Sequence, residues 1–291
     1  MNEITSLFHA VVKVYTGATP GWSGQGMLRA LGFGSFFFCW VLVWERHYRT
    51  RTDNYRSRNF LHDVAYWFYL KSGLHYFIFM AALVTWSQES LSFLDMHPFI
   101  KLPIVLQWVL FFFINDLTYY WVHRALHHFK FLWAFHATHH SQEKLTFVSG
   151  TRTHPVEQII AQFSVYVAAR LAGFNEMIWL PLTLVVMFQI EIEHSGIPWR
   201  FGPFYKLLVS PVFHNFHHSI DPAHRDKNFG GTFSCWDYLF GTAVKDTVKV
   251  PTRFGVEGVT PTSLWGTLVV PFRLLRESYG TPVRKRVTES T

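Results

Sequence analysis

Residues 102–128 read LPIVLQWVLFFFINDLTYYWVHRALHH, an apolar run that passes directly into a cluster of histidines. About 20 apolar residues are enough for a helix to cross a bilayer, so this run predicts a membrane span. Positions i and i+4 lie on one face of a helix, and His123 and His127 have that spacing. The stretch therefore predicts a membrane helix that presents two imidazoles at one membrane surface.

Two further histidine boxes repeat the spacing, HATHH at 136–140 and HNFHH at 214–218. Imidazole is the commonest protein ligand for transition metals, and it binds them as the neutral ring. Three boxes contain more histidine than one four-coordinate zinc ion uses. A fourth element, His194, follows another apolar segment and is predicted to face the boxes. The pattern therefore predicts a centre with two metal ions.

The composition favours a membrane protein over a soluble enzyme. Of the 291 residues, 49% are hydrophobic, 19% are aromatic and only 15% are charged. The chain has two cysteines, Cys39 and Cys235, which argues against a disulfide framework and a cysteine-based metal site. The net charge is +7, but the basic residues flank apolar segments. They therefore indicate contact with a membrane surface and not with nucleic acid.

Four other apolar segments accompany the opening run. They occupy residues 27–45, 64–87, 158–169 and 177–190. The first two are long enough to span a bilayer, with Lys71 extending its amine towards the surface. The last two are shorter, and a turn around Gly173 predicts that they form a hairpin dipping into the membrane. The predicted fold is an all-α integral membrane bundle with a histidine-rich catalytic cap.

The charges of the loops predict the orientation of this multi-pass bundle. Five arginines lie between positions 46 and 58, and a cluster of this kind marks a cytoplasmic loop. The loop at 88–98 has two acidic residues and no lysine or arginine, so it is placed on the opposite side. All the histidine boxes then fall on the cytoplasmic face. The same pattern fits a bacterial inner membrane and the endoplasmic reticulum.

These predictions divide the chain into three parts. An N-terminal segment covers 1–25, a catalytic membrane domain covers 26–245, and a basic C-terminal tail covers 246–291. The tail contains Arg284, Lys285 and Arg286 and is predicted to fray or to rest on anionic headgroups.

Several residues are predicted to lie beside the metals without binding them. Asp116 is two turns before His123 on one helix face, and a carboxylate inside a membrane helix usually points to a partner. We therefore expect it to accept a hydrogen bond from a ligating imidazole. The other candidates for this surrounding layer are His128, His154, Glu157 and Glu191.

Nitrogen ligands alone suit zinc, copper, iron and nickel. Around the boxes, however, three motifs resemble those of the fatty acid hydroxylase/sterol desaturase superfamily. They are DLTYYW (116–121), RTHPVE (152–157) and NFGGTFSCWDYLFGT (228–242). The resemblance covers roughly residues 60–245. It implies a non-haem centre of two iron ions that uses O2 to hydroxylate or desaturate an unactivated C–H bond of a lipid, with zinc as a substitute metal in purified protein.

The same resemblance implies a ligand set. Eight histidines carry over as metal ligands at the catalytic centre, and a ninth matches an extra histidine before the third box. The nine are His123, His127, His136, His139, His140, His194, His214, His217 and His218. Some relatives have a further ligand four residues after the extra histidine, where this chain has Pro198.

The expected partners are a membrane lipid, O2 and an electron donor. No flavin, nicotinamide or fused haem signature occurs, so the electrons must come from a separate carrier such as a cytochrome b5 or a ferredoxin. Sterol, fatty acyl, alkylglycerol and carotenoid substrates all remain open, as does the oligomeric state. Two other functions fit the boxes, a zinc-dependent membrane hydrolase and a metal-binding membrane transporter. A transporter would require ionisable residues along a membrane path, where only Lys71 and Asp116 are found.

Overall fold

The computed structural model describes residues 24–174, 179–245, 249–259 and 263–279. The regular elements in these ranges are helical, with two isolated β-bridges and no strand, which confirms the all-α class for this part of the chain. The α-helices are α1 Gly24–Tyr48, α2 Arg58–Lys71, α3 Ala81–Ser90, α4 Ile104–His128, α5 Lys130–His140, α6 Pro155–Ala172, α7 Trp179–Glu193, α8 Pro211–His217, α9 Cys235–Leu239 and α10 Leu264–Tyr279. The predicted N-terminal segment lies almost wholly outside the described residues.

Helix α4 covers the opening run and ends inside the first histidine box, as the sequence predicts. Among the described residues, α4 is the helix that by itself is long and apolar enough to cross a membrane. Helices α2 and α3 together with the π-helical turn Tyr76–Met80 would form a second, broken span with a bend of 52°. The multi-pass topology therefore remains a prediction.

The span predicted at 64–87 is not one straight helix, because α2 ends at Lys71 and the helical structure that resumes at Tyr76 is bent by 52° from it. Gly73 has a φ of +78°, a conformation that glycine adopts easily and that interrupts an α-helix. The amine of Lys71 does not extend to the surface either. Its side chain is buried, and its Nζ lies 3.2 Å from Oε1 of Glu191 on α7. A buried carboxylate therefore holds the lysine inside the bundle.

Helices α6 and α7 cover most of the two segments for which a hairpin is predicted, and residues 175–178 between them lie outside the described part, so the hairpin stays a prediction. The side chain of His154 caps α6 by accepting a hydrogen bond from the amide of Val156, and Pro155 occupies the first helical position. At the other end Gly173 has a φ of +61° and donates to the carbonyls of Ala169 and Arg170. This glycine ends the helix at the predicted turn.

The predicted C-terminal tail contains a helix that the sequence analysis missed. Helix α10 packs against α5, with the ring of Phe272 6.3 Å from that of Phe135. Its buried side includes Thr267 and Val270. Because α5 carries the second histidine box, this packing joins residues 264–279 to the part of the fold that contains the histidines. Residues 280–291 lie outside the described part.

A buried ion pair joins α2 to the loop after the second box. Arg152 is fully buried, and its Nε lies 2.6 Å from Oδ1 of Asp63, which is also fully buried. Asp63 accepts further hydrogen bonds from Ser149 and Gln142. The carbonyl oxygen of Arg152 in turn faces Nδ1 of His139 at 3.1 Å. The pair therefore fixes the backbone on which one boxed histidine rests.

We expect Asp63→Ala to lower the free energy of unfolding by about 3–5 kcal/mol, because it leaves the Arg152 guanidinium buried without its counter-charge. Thermal unfolding of the protein in detergent measures this. The matched control is Glu277→Ala, which removes an exposed i,i+4 partner of Arg273 and should cost about 0.5 kcal/mol or less. Equal effects of the two substitutions would contradict the structural role of the buried pair.

Candidate metal centre

Nine imidazoles converge from four parts of the chain: the end of α4, helix α5, the residue after α7, and α8 with its C-cap. They form two adjacent groups, and within each group the candidate ligand atoms all lie within 4.8 Å of one another. Group one consists of His123, His127, His136, His140 and His217, and group two of His139, His194, His214 and His218. All nine histidines singled out in the sequence are thus brought together, and groups of this kind could hold metal ions.

Local backbone signals direct the imidazoles inward. Phe129 is extended, with φ −92° and ψ 120°, and it turns the chain sharply between α4 and α5. The i, i+3 and i+4 spacing of the second box then places three rings on the buried side of α5. Ser210 caps α8 by accepting from the amide of Phe213, and Pro211 follows at the first helical position. The third box therefore begins on a well-defined helical turn.

Each group takes histidines from more than one box, and the second and third boxes each contribute to both groups. The spacing of the histidines in the sequence does not predict this division. Helix α5 contributes His136 and His140 to group one but His139 to group two. The third box is divided in the same way, with His217 in group one. A helix places i and i+4 on one face and i+3 about 60° from it, so one box can serve two adjacent sites.

Six of the nine rings have Nδ1 held by an oxygen atom. The acceptors are carbonyl oxygens for four of them and carboxylates for the other two. The pairs are His123 with Phe229 O at 2.9 Å, His139 with Arg152 O at 3.1 Å, His194 with Ile190 O at 2.8 Å, His217 with Lys227 O at 2.8 Å, His136 with Glu157 Oε1 at 2.9 Å and His127 with Asp226 Oδ1 at 3.2 Å. Acceptors of this kind orient metal-binding imidazoles and direct Nε2 towards the metal.

The Nε2 atoms of neighbouring rings lie unusually close together. In group two the separation is 3.3 Å between His194 and His139 and 3.0 Å between His214 and either His194 or His218. Two ligands about 2.1 Å from a shared metal ion would lie roughly 3.0–3.4 Å apart. The spacing of the nitrogens therefore matches that of ligands around one ion.

These contacts are not ordinary hydrogen bonds. A carbonyl oxygen only accepts, so His139 and His194 must each carry their proton on Nδ1. Both Nε2 atoms are then unprotonated in the neutral rings, and two lone pairs face each other at 3.3 Å. Two lone pairs repel unless a cation lies between them. The nitrogens are therefore arranged for a bound cation, and the donor set fits a transition metal.

Burial keeps these rings neutral, which is the form that binds metals. Burial lowers the pKa of His194 to about 4. It also lowers the pKa of the box histidines outside α4 well below the usual value, and the neighbouring imidazoles lower it further. These are His136, His139, His140, His214, His217 and His218.

Of the residues predicted to surround the metals, Glu157 is placed against a boxed imidazole, where its Oε1 lies 2.9 Å from Nδ1 of His136. The prediction that Asp116 accepts from an imidazole is wrong. Its two oxygens accept instead from the amides of Thr232 and Phe233 and from the indole of Trp236, at 2.6–3.0 Å. The carboxylate anchors the loop after the third box because that loop presents unpaired donors to α4.

The other three predicted neighbours make other contacts. His128 is exposed and contacts the ring of Phe129, since its position on the helix turns it away from His127. Glu191 is paired with Lys71 and touches no boxed histidine. His154 is buried, but it serves as the cap of α6 and packs on aromatic rings. The predictions that His128 and Glu191 lie beside the metals are wrong, whereas His154 has a structural role at the start of α6 and its position beside the metals stays a prediction.

Two residues that the sequence analysis did not single out organise the site. Arg51 donates to the carbonyls of His194 and Ser195 and to Oδ1 of Asn215, the last at 2.8 Å. It therefore ties the fourth histidine element to the third box. The sequence offered only a cluster of arginines, which indicates orientation, and no feature marks Arg51 within it.

Asp237 acts in the same way on the loop that follows the third box. Its carboxylate accepts from the amides of Phe229 and Gly230 and from the hydroxyl of Thr242. The carbonyl of Phe229 is the acceptor for His123. The motif NFGGTFSCWDYLFGT contains Asp237 in its WD pair, so this motif is the sequence feature from which its role could have been predicted.

A cavity of about 350 Å³ leads from group two into the bundle. Small-molecule sites commonly occupy about 300–1,000 Å³. His139 and His194 line one end, and Tyr76 and Met80 lie on its wall at the broken span. One face of α6 follows the cavity through Glu157, Gln158, Ala161, Gln162, Val165 and Tyr166. The nine helical steps from Glu157 to Tyr166 correspond to about 14 Å, so the cavity is long enough for part of an extended chain.

Comparison with known proteins agrees with this geometry. A model of the fatty acid hydroxylase family matches residues 108–242. Alkylglycerol monooxygenase of Danio rerio is 30% identical over 170 residues, which is 54% of this chain and 35% of the relative. Ornithine lipid hydroxylase OlsE of Rhizobium tropici is 26% identical over 227 residues, 76% of this chain and 69% of the relative.

A third relative has a different named activity. Very-long-chain aldehyde decarbonylase GL1-11 of Oryza sativa subsp. indica is 29% identical over 202 residues, 67% of this chain and 71% of the relative. The chain spans about a third of the length of the alkylglycerol monooxygenase that it matches. No solved structure matches the chain.

The family match contains the three boxes, His194 and the motif after the third box. It therefore covers every histidine of the two groups. Residues 108–242 therefore match the fatty acid hydroxylase family, and the comparisons support a relationship of this chain to the fatty acid hydroxylase/sterol desaturase superfamily.

Proposed function

We propose that this protein is a membrane di-iron oxygenase that oxidises an unactivated C–H bond of a lipid. For hydroxylation the balance is RH + O2 + 2 e⁻ + 2 H⁺ → ROH + H2O. The observation that carries the proposal is the convergence of nine imidazoles in two adjacent groups beside a cavity that is long enough for part of an extended apolar chain.

The two groups are the sites for the two metals. His123, His127, His136, His140 and His217 would hold one ion, and His139, His194, His214 and His218 the other. Nε2 of His127 and of His217 is buried without a hydrogen-bond partner, which fits donation to a metal. Five imidazoles exceed the four ligands of a typical zinc site, and the family points to iron. When bound, two irons supply the activation of O2.

The protein's own residues provide the geometry. Acceptors on Nδ1 hold the rings in one orientation, so the site is organised before the metals arrive. Each imidazole is neutral, and Glu157 lies within hydrogen-bond distance of His136. Burial raises the pKa of Glu157 well above its usual value. Binding of cations next to this carboxyl would favour its charged form and offset part of the positive charge.

The cavity selects and positions the substrate. Because His139 and His194 line it, the bond to be oxidised would lie against group two. The α6 face beside it combines apolar Ala161 and Val165 with the amides of Gln158 and Gln162. An apolar chain that carries a polar group would fit these walls. Holding one C–H bond near the metals while excluding water is the main contribution that the fold makes to the rate.

The charges of the loops give the orientation of the proposed enzyme in the membrane. Helix α4 crosses the membrane, and the arginine-rich loop at 46–58 lies with the metal groups on the cytoplasmic face. Arg46 and Arg49 are exposed on this loop, as is Lys144 on the loop after the second box. These cations would attract an acidic cytochrome b5 or a ferredoxin that delivers the electrons.

The alternatives are less well supported. Lys71 and Asp116, the two charges predicted inside the membrane, are both engaged by neighbouring groups, so they do not form a transport path. A zinc hydrolase would leave most of nine imidazoles without a role. Aldehyde decarbonylation is a named activity of one relative, and assays of long-chain aldehydes test it directly.

The test of the function is metal content together with the requirement for O2. We expect freshly purified protein to contain about two irons per chain and to oxidise a lipid only when O2 and a reductant are present. His139→Ala in group two and His217→Ala in group one should each reduce iron content and abolish turnover. Product analysis by mass spectrometry, with ¹⁸O2 as the source of oxygen, identifies hydroxylation.

The control is His128→Ala, which removes an exposed ring next to the first box. It should leave iron content and turnover unchanged. One zinc per chain together with full activity in the absence of oxygen would refute the proposed function.

A second prediction concerns Arg51. Arg51→Ala removes the donor to the carbonyl of His194 and to Oδ1 of Asn215, and one of the two donors to the carbonyl of Ser195, so group two loosens while group one keeps its contacts. We expect the affinity of one metal site to fall about 10- to 100-fold, since this is the usual effect of losing such support. Iron analysis after dialysis against a chelator, with Mössbauer spectroscopy of the remaining iron, measures it.

The matched control is Arg49→Ala, since Arg49 is exposed and has nearly the same backbone conformation, with φ 53° against 51° for Arg51. It should retain both irons. Arg51→Lys should restore part of the affinity, because one ammonium replaces only part of the guanidinium fork. Simultaneous loss of both metals in Arg51→Ala, or loss of neither, would contradict a role confined to group two.

A further inference from the structure

Helix α10 has two apolar sides, and the protein covers only one of them. Thr267, Val270 and Pro271 are buried against the rest of the protein. On the opposite side Trp265 is 73% exposed and Phe272 61% exposed, and Val269 between them is also exposed. The spacing of 265, 269 and 272 is i, i+4 and i+7, so the three side chains form one continuous stripe.

The attachment of α10 to its neighbours is specific. Pro271 has no amide hydrogen, so it leaves the carbonyl of Thr267 without its helical partner. Thr138 on α5 donates to that carbonyl at 3.2 Å. The hydroxyl of Thr267 donates to the carbonyl of Leu264 and accepts from the hydroxyl of Tyr66 on α2 at 2.7 Å. These bonds fix which side of α10 faces outward.

The position of α10 relates it to the membrane. It contacts α2 through Tyr66 and α5 through Thr138 and Phe135. The ring of Phe272 also lies 6.5 Å from that of His154, which caps the start of α6. The helix therefore packs against the middle of α2, against α5 and against the start of α6. The candidate span α4 is joined through the single residue Phe129 to α5, which packs against α10.

The exposed stripe is not isolated on this surface. Phe129 and Phe131, where α5 begins, are 56% and 52% exposed. Arg273 and Arg276 are exposed towards the other end of α10. The chain then continues to the basic residues 284–286. A helix with tryptophan and other apolar side chains on one face and arginines beside them is typical of helices in the membrane–water interface.

We infer that α10 lies in the plane of the cytoplasmic leaflet, with Trp265, Val269 and Phe272 inserted among the lipids. The occupant of the exposed face is the interfacial region of the bilayer. Because α10 is bonded to α5, this insertion sets the height of the second histidine box above the hydrocarbon core. Helix α10 thereby determines which carbon of a lipid reaches the metal groups, a consequence that rests on the proposed function.

The test uses the full-length chain, reconstituted in phosphatidylcholine and phosphatidylglycerol nanodiscs. Single cysteines replace Trp265 or Val269 in a Cys39→Ser, Cys235→Ser background, and each carries an environment-sensitive fluorophore. We expect a nitroxide on carbon 5 of the acyl chain to quench both labels several-fold more strongly than aqueous iodide does. A label at Asp221→Cys, on the exposed loop after α8, should show the reverse preference.

Two outcomes would overturn the inference. Iodide quenching at position 265 as strong as at position 221 would show that the stripe faces water. Disulfide crosslinking of two copies through position 265 would show that the stripe is an interface between chains. Iron content measured on every labelled variant verifies that each one is folded.

The consequence for the reaction has a separate readout. A Trp265→Ser, Val269→Ser variant should retain its iron and shift the position of oxidation along the lipid chain. Unchanged product positions would overturn the role of α10 in setting the depth. If the wild-type protein oxidised no lipid, the proposed function would fail, and the quenching result would still decide where α10 lies.

Discussion

The structure depends on the electrostatic requirement of nine buried, neutral imidazoles. Backbone carbonyls and carboxylates hold Nδ1 on six of them, so the Nε2 lone pairs must point towards one another. Such an arrangement is repulsive by itself and becomes favourable when a cation shares the lone pairs. The surrounding fold offsets this repulsion, because buried ion pairs and hydrogen-bonded loops keep the rings in place before any metal binds.

The elements that hold the rings are themselves held by charges. Asp63 and Arg152 fix the backbone beneath His139, and Asp237 fixes the loop that supports His123. Arg51 ties His194 to the third box. Removing one charge from such a buried pair lowers the stability of the fold, because the remaining charge is then buried without a counter-charge or water. The site is therefore supported mainly by polar contacts between segments that are distant in the sequence.

Helix α10 would connect the histidine groups to the membrane in the position that we infer for it. It rests on α5, which carries imidazoles of both groups, and its outer face is apolar. Two neighbouring histidine groups, a cavity that reaches one of them and a helix that we infer to lie in the membrane interface would together define the geometry between the proposed metals and a lipid. In this arrangement the depth of the protein in the bilayer and the position of oxidation are one physical variable.

The helical class, the course of α4 into the first box, the end of α6 at Gly173 and the set of histidines that converge could all be predicted from the sequence. The spacing of apolar residues and the residues that end a helix are local features of the sequence, so they can be predicted without knowledge of the tertiary structure. Only the tertiary structure decided how the boxes divide into two groups, that Asp116 binds a loop amide, that Lys71 pairs with Glu191, and that Arg51 supports His194. These partners are 100 or more residues apart in most cases, and folding alone brings them into contact.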